Sequence, residues 1–278
     1  MTAKIIEVKG IPIGGGNPIV LIAGPCVIES QQLLLDTAGA VQSICERLEM
    51  PFVFKSSFTK DNRSSVDYFQ GPGLDEGLEM LKRVRNEFGI PILSDIHTPD
   101  QAQKAGEVLD VIQIPAYLSM QTSLSVAAGK TGKVINVKKG QFLHPQDMEK
   151  VVRKIESTGN EKVLLTERGS MFGYHNLVVD MRSLKIMRAI GYPVVFDVTH
   201  AIRIYGVPSS SAQGGTPEFV PVLARAGVAA GCDAIFIETH PDRTNALCDA
   251  SSMWPLQQLE DLLVQVKQLD QIAKKYID

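Results

Sequence analysis

Eight short, almost continuously apolar runs, each followed by a helical pattern, constrain this chain more than any other feature. The runs fall at residues 19–23, 52–55, 92–95, 111–114, 134–138, 163–167, 194–197 and 234–238. They lack the apolar–polar alternation of a strand with one wet face. Continuous runs of this length mark parallel strands covered on both sides. Helical patterns lie between them at residues 31–48, 73–88, 99–108, 122–130, 145–157, 183–189 and 217–230, with a last helix at 256–276. Eight β-then-α units in 278 residues predict a (β/α)8 TIM barrel. The alternative, an open doubly wound sheet, would be very wide, and no GxGxxG follows the first strand. Residues 1–17 read as a short N-terminal β-hairpin capping the barrel bottom, joined to the first strand through Gly14, Gly15 and Gly16. No second domain, repeat or low-complexity tract interrupts the pattern, so residues 1–278 are read as a single TIM-barrel domain.

Composition removes several classes of function. A net charge of −3 and only 6% aromatic residues argue against a nucleic-acid partner. No apolar run is long enough to cross a membrane. The first residues carry no apolar signal segment, and Cys26, Cys45, Cys232 and Cys248 show no CxxC or tight disulfide spacing. Reduced thiols and a cytoplasmic location are therefore expected. At least one of those thiols could then be a metal ligand or a nucleophile.

The polar residues are placed as a barrel enzyme requires, at the C-terminal ends of the strands. The runs lead into Cys26, Lys55, Asp95 and His97, Gln113, Asn136 and Lys138, Glu167 and Arg168, Asp197 and His200, and Glu238 and His240. A ring of buried charge is costly unless paired, so a purely structural barrel has no use for it. Residues 55–65 add three cations and five hydroxyls in eleven positions, a loop suited to phosphate or carboxylate. Lys55, Lys60, Lys138 and Arg168 form a cationic group around one mouth. The plainer reading pairs each with a neighbouring carboxylate, Arg168 with Glu167 for instance. Cys26, His200, Glu238 and Asp249 mix soft, borderline and hard donors, a set suited to a divalent zinc, iron or manganese. Spacing alone supports that weakly, because a thiol or an imidazole has many structural uses. Residues 209–215 read as a flexible loop, either an ordinary connection or a lid. Residues 169–174 and 245–252 are further loops on the same face.

The order and wording of these motifs resemble one family, the 3-deoxy-D-manno-octulosonate 8-phosphate synthases, also called 2-dehydro-3-deoxyphosphooctonate aldolases. The resemblance rests on residues 55–65, Gln113-Ile-Pro-Ala116, Asn136-Val-Lys-Lys-Gly-Gln-Phe142 and Thr166-Glu-Arg-Gly169. It continues through Phe172-Gly-Tyr174, Asn176-Leu-Val-Val-Asp180, Phe196-Asp-Val-Thr-His200 and Glu238-Thr-His-Pro241. It covers nearly the whole chain, in order. What it implies is condensation of phosphoenolpyruvate with D-arabinose 5-phosphate and water, giving 3-deoxy-D-manno-octulosonate 8-phosphate and inorganic phosphate for lipopolysaccharide synthesis. The implied assembly is a homotetramer with a TIM-barrel subunit.

By the same resemblance, Lys55, Lys60, Gln113, Lys138 and Arg168 would hold phosphoenolpyruvate. Asn62, Arg63 and Ser64 would hold arabinose 5-phosphate, the last two across a subunit interface, and Asp95 would meet the sugar hydroxyls and a water on the metal. Cys26 in Gly-Pro-Cys-Val-Ile-Glu29, with Cys248-Asp-Ala-Ser-Ser252 and Lys139-Gly-Gln141, resembles the metal-dependent class, in which Cys26, His200, Glu238 and Asp249 would be the ligands. Lys60 is expected to protonate the new alkoxide, with a pKa depressed by neighbouring cations. The chain departs from the family pattern at His144 and Met171, which bears on affinity. The rival readings are a heptulosonate 7-phosphate synthase using erythrose 4-phosphate and a barrel that binds a sugar phosphate without catalysis.

Overall fold

The computed structural model describes residues 3–171, 176–208 and 211–276. The Phe172-Gly-Tyr174 motif lies outside the described residues, as do Ser209 and Ser210 of the expected flexible loop. A hairpin opens the fold, with β1 (Ile6–Val8) antiparallel to β2 (Ile11–Ile13). Barrel strands and helices then alternate. They run β3 (Val20–Gly24), α1 (Gln31–Arg47), β4 (Phe52–Lys55), α2 (Leu74–Phe88), β5 (Ile92–Asp95), α3 (Gln101–Val108), β6 (Val111–Ile114) and α4 (Thr122–Lys130). They continue β7 (Val134–Lys138), α5 (Met148–Glu156), β8 (Val163–Glu167), α6 (Arg182–Arg188), β9 (Val194–Asp197), a one-turn α7 (Val198–Ala201), α8 (Val220–Ala229) and β10 (Ala234–His240). β11 (Trp254–Pro255) and α9 (Leu259–Ala273) complete the order.

The eight strands β3 to β10 pair in parallel in sequence order, and β10 pairs with both β9 and β3, which closes the barrel. Nearly every strand residue is buried, because side chains on one face fill the barrel and those on the other meet the helices. The helices are amphipathic for the same reason. In α5, Met148, Val151, Val152 and Ile155 recur at helical spacing and are buried, while Arg153 and Glu149 face water and pair. Ser30 caps α1 by accepting from Leu33 N, and Gly89 ends α2 in the left-handed conformation.

Six of the expected runs coincide with observed strands. The eighth extends two residues further, to His240, because Thr239 and His240 pair with Trp254 and Pro255 of β11. Residues 145–147, 217–219 and 256–258 are 3-10 turns leading into their helices rather than helix proper.

The hairpin lies across the N-terminal ends of β8 and β9. Lys4 N donates to Gly191 O, Lys4 Nζ reaches Glu161, and Gly14 packs against Pro193. At the opposite end one glycine brings two site residues together. Gly24 has φ +153, and a Cβ there would fall 2.0 Å from the Lys55 carbonyl oxygen. Its absence lets the segment carrying Cys26 approach the end of β4.

Candidate active site

The C-terminal mouth of the barrel holds the expected residues, but in two electrostatic conditions. Lys55, at the end of β4, lies 2.5 Å from Glu238 Oε1 and 2.9 Å from the Cys26 carbonyl. Lys138, at the end of β7, lies 2.6 Å from Asp197 Oδ2 at the end of β9. Both lysines therefore already have a carboxylate. Arg168 does not. It is 3% exposed, yet its Nε and Nη1 have no hydrogen-bond partner. The pairing with Glu167 considered from sequence does not form. Glu167 Oε1 instead accepts from the backbone N of Arg168 and Gly169, at 3.0 and 2.7 Å, and lies 3.5 Å from Lys139 Nζ. A buried guanidinium left with open donors is costly unless an anion completes it.

Lys60 sits between these conditions, 3.6 Å from Glu238 Oε1. The expectation that its pKa is depressed is overturned. Burial does work against its charge, but Cys26, Glu238, Asp95 and Cys248 outweigh burial and hold the ammonium well above the ordinary lysine value. Depression by burial instead falls on Lys138, with Lys55 adding to it against Asp197. Burial opposes the Asp95 carboxylate, but His97, Lys60 and Lys55 keep it well below the usual carboxylate range. Ser57 Oγ donates to Asp95 Oδ1 at 2.5 Å, and His97 Nε2 stands 3.3 Å from Oδ2. Gln113 is oriented through Asn136, which donates to its carbonyl at 2.9 Å and is itself held by Thr166.

The four candidate metal ligands fall, together with Cys248, into two triplets that share Asp249. In one, Cys26, Cys248 and Asp249 bring their donor atoms within 4.8 Å of one another; in the other, His200, Glu238 and Asp249 do so. His200 Nδ1 faces Asp197 Oδ2 at 2.9 Å, which leaves Nε2 turned to Glu238 and Asp249 at 3.7 and 3.8 Å. A carboxylate on the far nitrogen is how proteins orient a ligating imidazole. Asp249 adopts φ +47, a sparsely populated backbone region for a residue other than glycine. Arg203 holds its Oδ1 at 2.7 Å, so that Oδ2 faces Cys26 at 3.4 Å. Burial raises the Asp249 pKa, but Arg203, Lys60 and His200 together outweigh it and the group falls to about 2. Glu238 Oε2 is buried without a hydrogen-bond partner. Sulfur, imidazole and two carboxylates, with one orphaned carboxylate oxygen among them, fit a divalent first-row metal.

Two chambers open on this floor. The deeper, about 210 Å³, is lined by Lys60, Asp95, His97, Gln113, Lys138, Gln141 and Arg168 among others. The outer, about 460 Å³, is lined by Asn62, Arg63, Ser64, Tyr68, Arg203 and Asp249. Lys60, Asn62, Arg168, His200, Tyr117 and Tyr205 border both. A small dianion and a larger phosphorylated molecule can thus lie end to end, with Lys60 and Arg168 at the junction.

Sequence reasoning did not select Gln141, Tyr205, Arg203 or Asp197 as site residues. Gln141 Nε2 donates to Tyr205 OH at 2.7 Å, and Tyr205 stands edge-on to Tyr117 over the chambers. Asp197 was visible as a strand-end acid, whereas Tyr205 and Arg203 lie in a connection with no local signal. His144 and Met171 stand outside the residues lining either chamber.

Residues 3–275 match the DAHP synthetase I family. Among similar proteins, the 2-dehydro-3-deoxyphosphooctonate aldolase of Trichlorobacter lovleyi is 53% identical over 271 residues, 98% of this chain and 99% of that protein. The protein of the same name from Geotalea daltonii is 54% identical over 271 residues, with the same coverage. That of Geobacter sulfurreducens is 52% identical over 269 residues, 97% of this chain and 98% of that protein.

Proposed function

The chain belongs to the DAHP synthetase I family, and from that premise we propose that it condenses phosphoenolpyruvate with D-arabinose 5-phosphate and water to give 3-deoxy-D-manno-octulosonate 8-phosphate and inorganic phosphate. The relatives named for the octulosonate reaction, similar from end to end, favour it over the heptulosonate reaction. The observation that carries the reading is Arg168, a buried guanidinium with open donors at the junction of two chambers. A silent barrel could bind a sugar phosphate, but it would have no use for the adjoining donor set. Phosphate release from phosphoenolpyruvate, measured with arabinose 5-phosphate and with erythrose 4-phosphate, tests the reading. Turnover is expected with the five-carbon sugar; turnover with erythrose 4-phosphate alone, or binding without phosphate release, would overturn it.

In the mechanism we propose, Lys60, Gln113, Lys138 and Arg168 hold the three-carbon acid in the deeper chamber. Lys55, locked to Glu238, supplies charge to that floor rather than a direct contact. Asn62, Arg63 and Ser64 hold the sugar phosphate in the outer chamber. Fixing both anions turns a bimolecular condensation into a positioned one. C3 of the enol phosphate attacks the aldehyde carbon, water adds at C2 and gives one proton to the new alkoxide, and phosphate leaves from C2 with C–O cleavage, carrying the second proton as the C2 ketone forms. Lys60 Nζ keeps its proton and serves the nascent alkoxide as a fixed charge and hydrogen-bond donor. Asp95, fixed by Ser57 and His97, orients the sugar hydroxyls. Cys26, His200, Glu238 and Asp249 would hold a divalent zinc, iron or manganese ion, which when bound supplies Lewis-acid polarisation of an oxygen at this floor.

We read the whole chain as one barrel domain working as a homotetramer in the cytoplasm. Two features support this. The loop carrying Arg63 and Ser64 is largely exposed, with Val66 88% exposed, and Phe142 and Phe219 also stand outward. A partner subunit would cover such groups. The four cysteines are free thiols, and no described helix is long and apolar enough to cross a membrane. Sedimentation of the purified chain checks the assembly.

A further inference from the structure

Cys248 is not among the ligands carried over from the family, yet it is the nearest soft atom to one of them. Its Sγ lies 3.0 Å from Cys26 Sγ, and both cysteines are about 1% exposed. A thiol that merely fills space would have apolar neighbours. Some are present, in Val27, Ala246 and Met253. But Cys248 Sγ also receives Arg63 Nη1 at 2.9 Å, and Arg63 Nη2 donates to the neighbouring Leu247 carbonyl. The second, independent observation is Glu238 Oε2, buried without a hydrogen-bond partner in the other triplet. Asp249 belongs to both triplets, and in its own triplet Cys248 brings its donor atom within 4.8 Å of those of Cys26 and Asp249.

We infer that Cys248 is a fifth protein donor of the metal centre, so that a divalent ion bound there meets two thiolates rather than one. The inference rests on the reading that Cys26, His200, Glu238 and Asp249 hold an ion. On binding, the Cys248 thiol gives its proton to solvent and the Arg63 guanidinium neutralises part of the added charge. Two thiolates bias the site toward zinc and iron over the harder manganese and magnesium. They also tie the sugar-phosphate loop to the metal floor, since Arg63 belongs to both.

X-ray absorption on the zinc-loaded full chain, kept reduced, counts the sulfurs without any mutation. Two sulfurs per zinc at about 2.3 Å are expected; one sulfur overturns the inference while leaving the four-residue site intact. Cobalt substitution gives the second readout. The sulfur-to-cobalt charge-transfer band of the wild type should fall by about half in Cys248→Ser and vanish in the double variant Cys26→Ser/Cys248→Ser. A full band in Cys248→Ser overturns the role of Cys248 alone. A wild type that binds neither ion overturns the metal reading itself and this inference with it.

Discussion

The two ends of the barrel bury charge in opposite ways. At the N-terminal end, Asp233 accepts from Val194 N at 2.8 Å and pairs with Arg188 at 2.7 Å. Asp270 accepts from Ile19 N at 3.0 Å and stands 3.1 Å from Lys274. Each carboxylate there ties a strand to a helix or closes a backbone donor. At the C-terminal mouth, Lys55, Lys60, Lys138 and Arg168 crowd against Asp95, Asp197, Glu238 and Asp249, and atoms of Arg168 and Glu238 remain open. The N-terminal carboxylates serve the fold, although Lys274 Nζ is left there without a hydrogen-bond partner; the open atoms of the mouth lie instead where the chambers and the donor set meet.

The strongest way to break that comparison is to remove what the mouth is thought to need. Chelation should abolish turnover, and added divalent metal should restore it; full activity in rigorously metal-free protein would sink the metal assignment. Cys26→Asn sharpens the point, because surviving metal-free activity would mean the site works without a Lewis acid. Next in size, Arg168→Ala should lower kcat/KM by about 10³ while leaving the melting temperature unchanged or higher, since an incomplete buried cation has been removed. A falling melting temperature would mean that Arg168 is structural after all. The mirror experiment belongs at the other end. Asp233→Ala takes the acceptor from Val194 N and leaves Arg188 only the Gly231 carbonyl, and should cost about 3 kcal/mol in denaturant unfolding, with normal kcat in the folded fraction. Reduced kcat there would show that the two ends are coupled. The smallest effect is expected from Lys4→Ala in the hairpin region. Its exposed contact to Glu161 and part-buried one to Tyr192 should contribute under about 1 kcal/mol, and a larger loss in the same assay would mean the hairpin is a principal support of the barrel.

Much of the fold was legible because parallel strands buried on both faces leave a one-dimensional trace. Runs such as residues 163–167 and 194–197 need no distant partner to be recognised. The ring of strand-end residues followed from topology, since the chain direction alone decides which end of each strand faces the mouth. What was not legible was pairing. Glu167 is adjacent to Arg168 in sequence, yet its side chain turns to backbone amides and Lys139 and leaves the guanidinium open. Lys55 pairs with Glu238, 183 residues away. Lys60 was expected among cations and instead faces Cys26, Asp95 and Glu238. The Arg168 reading treated a sequence neighbour as an electrostatic neighbour, and the Lys60 reading counted the cations of the mouth without the acids packed between them.

The sequence by itself determined the barrel, the identity of its polar rim and the resemblance that points to the reaction. Those follow from hydrophobic periodicity and residue order, which are local and survive in one dimension. Only the tertiary structure decided which charges are satisfied, that Asp249 joins two triplets, and that Cys248 lies against Cys26. Those depend on distances of a few ångströms between strand ends far apart in the chain. Coulomb and hydrogen-bond energies change steeply over that range, and sequence separation carries no record of it.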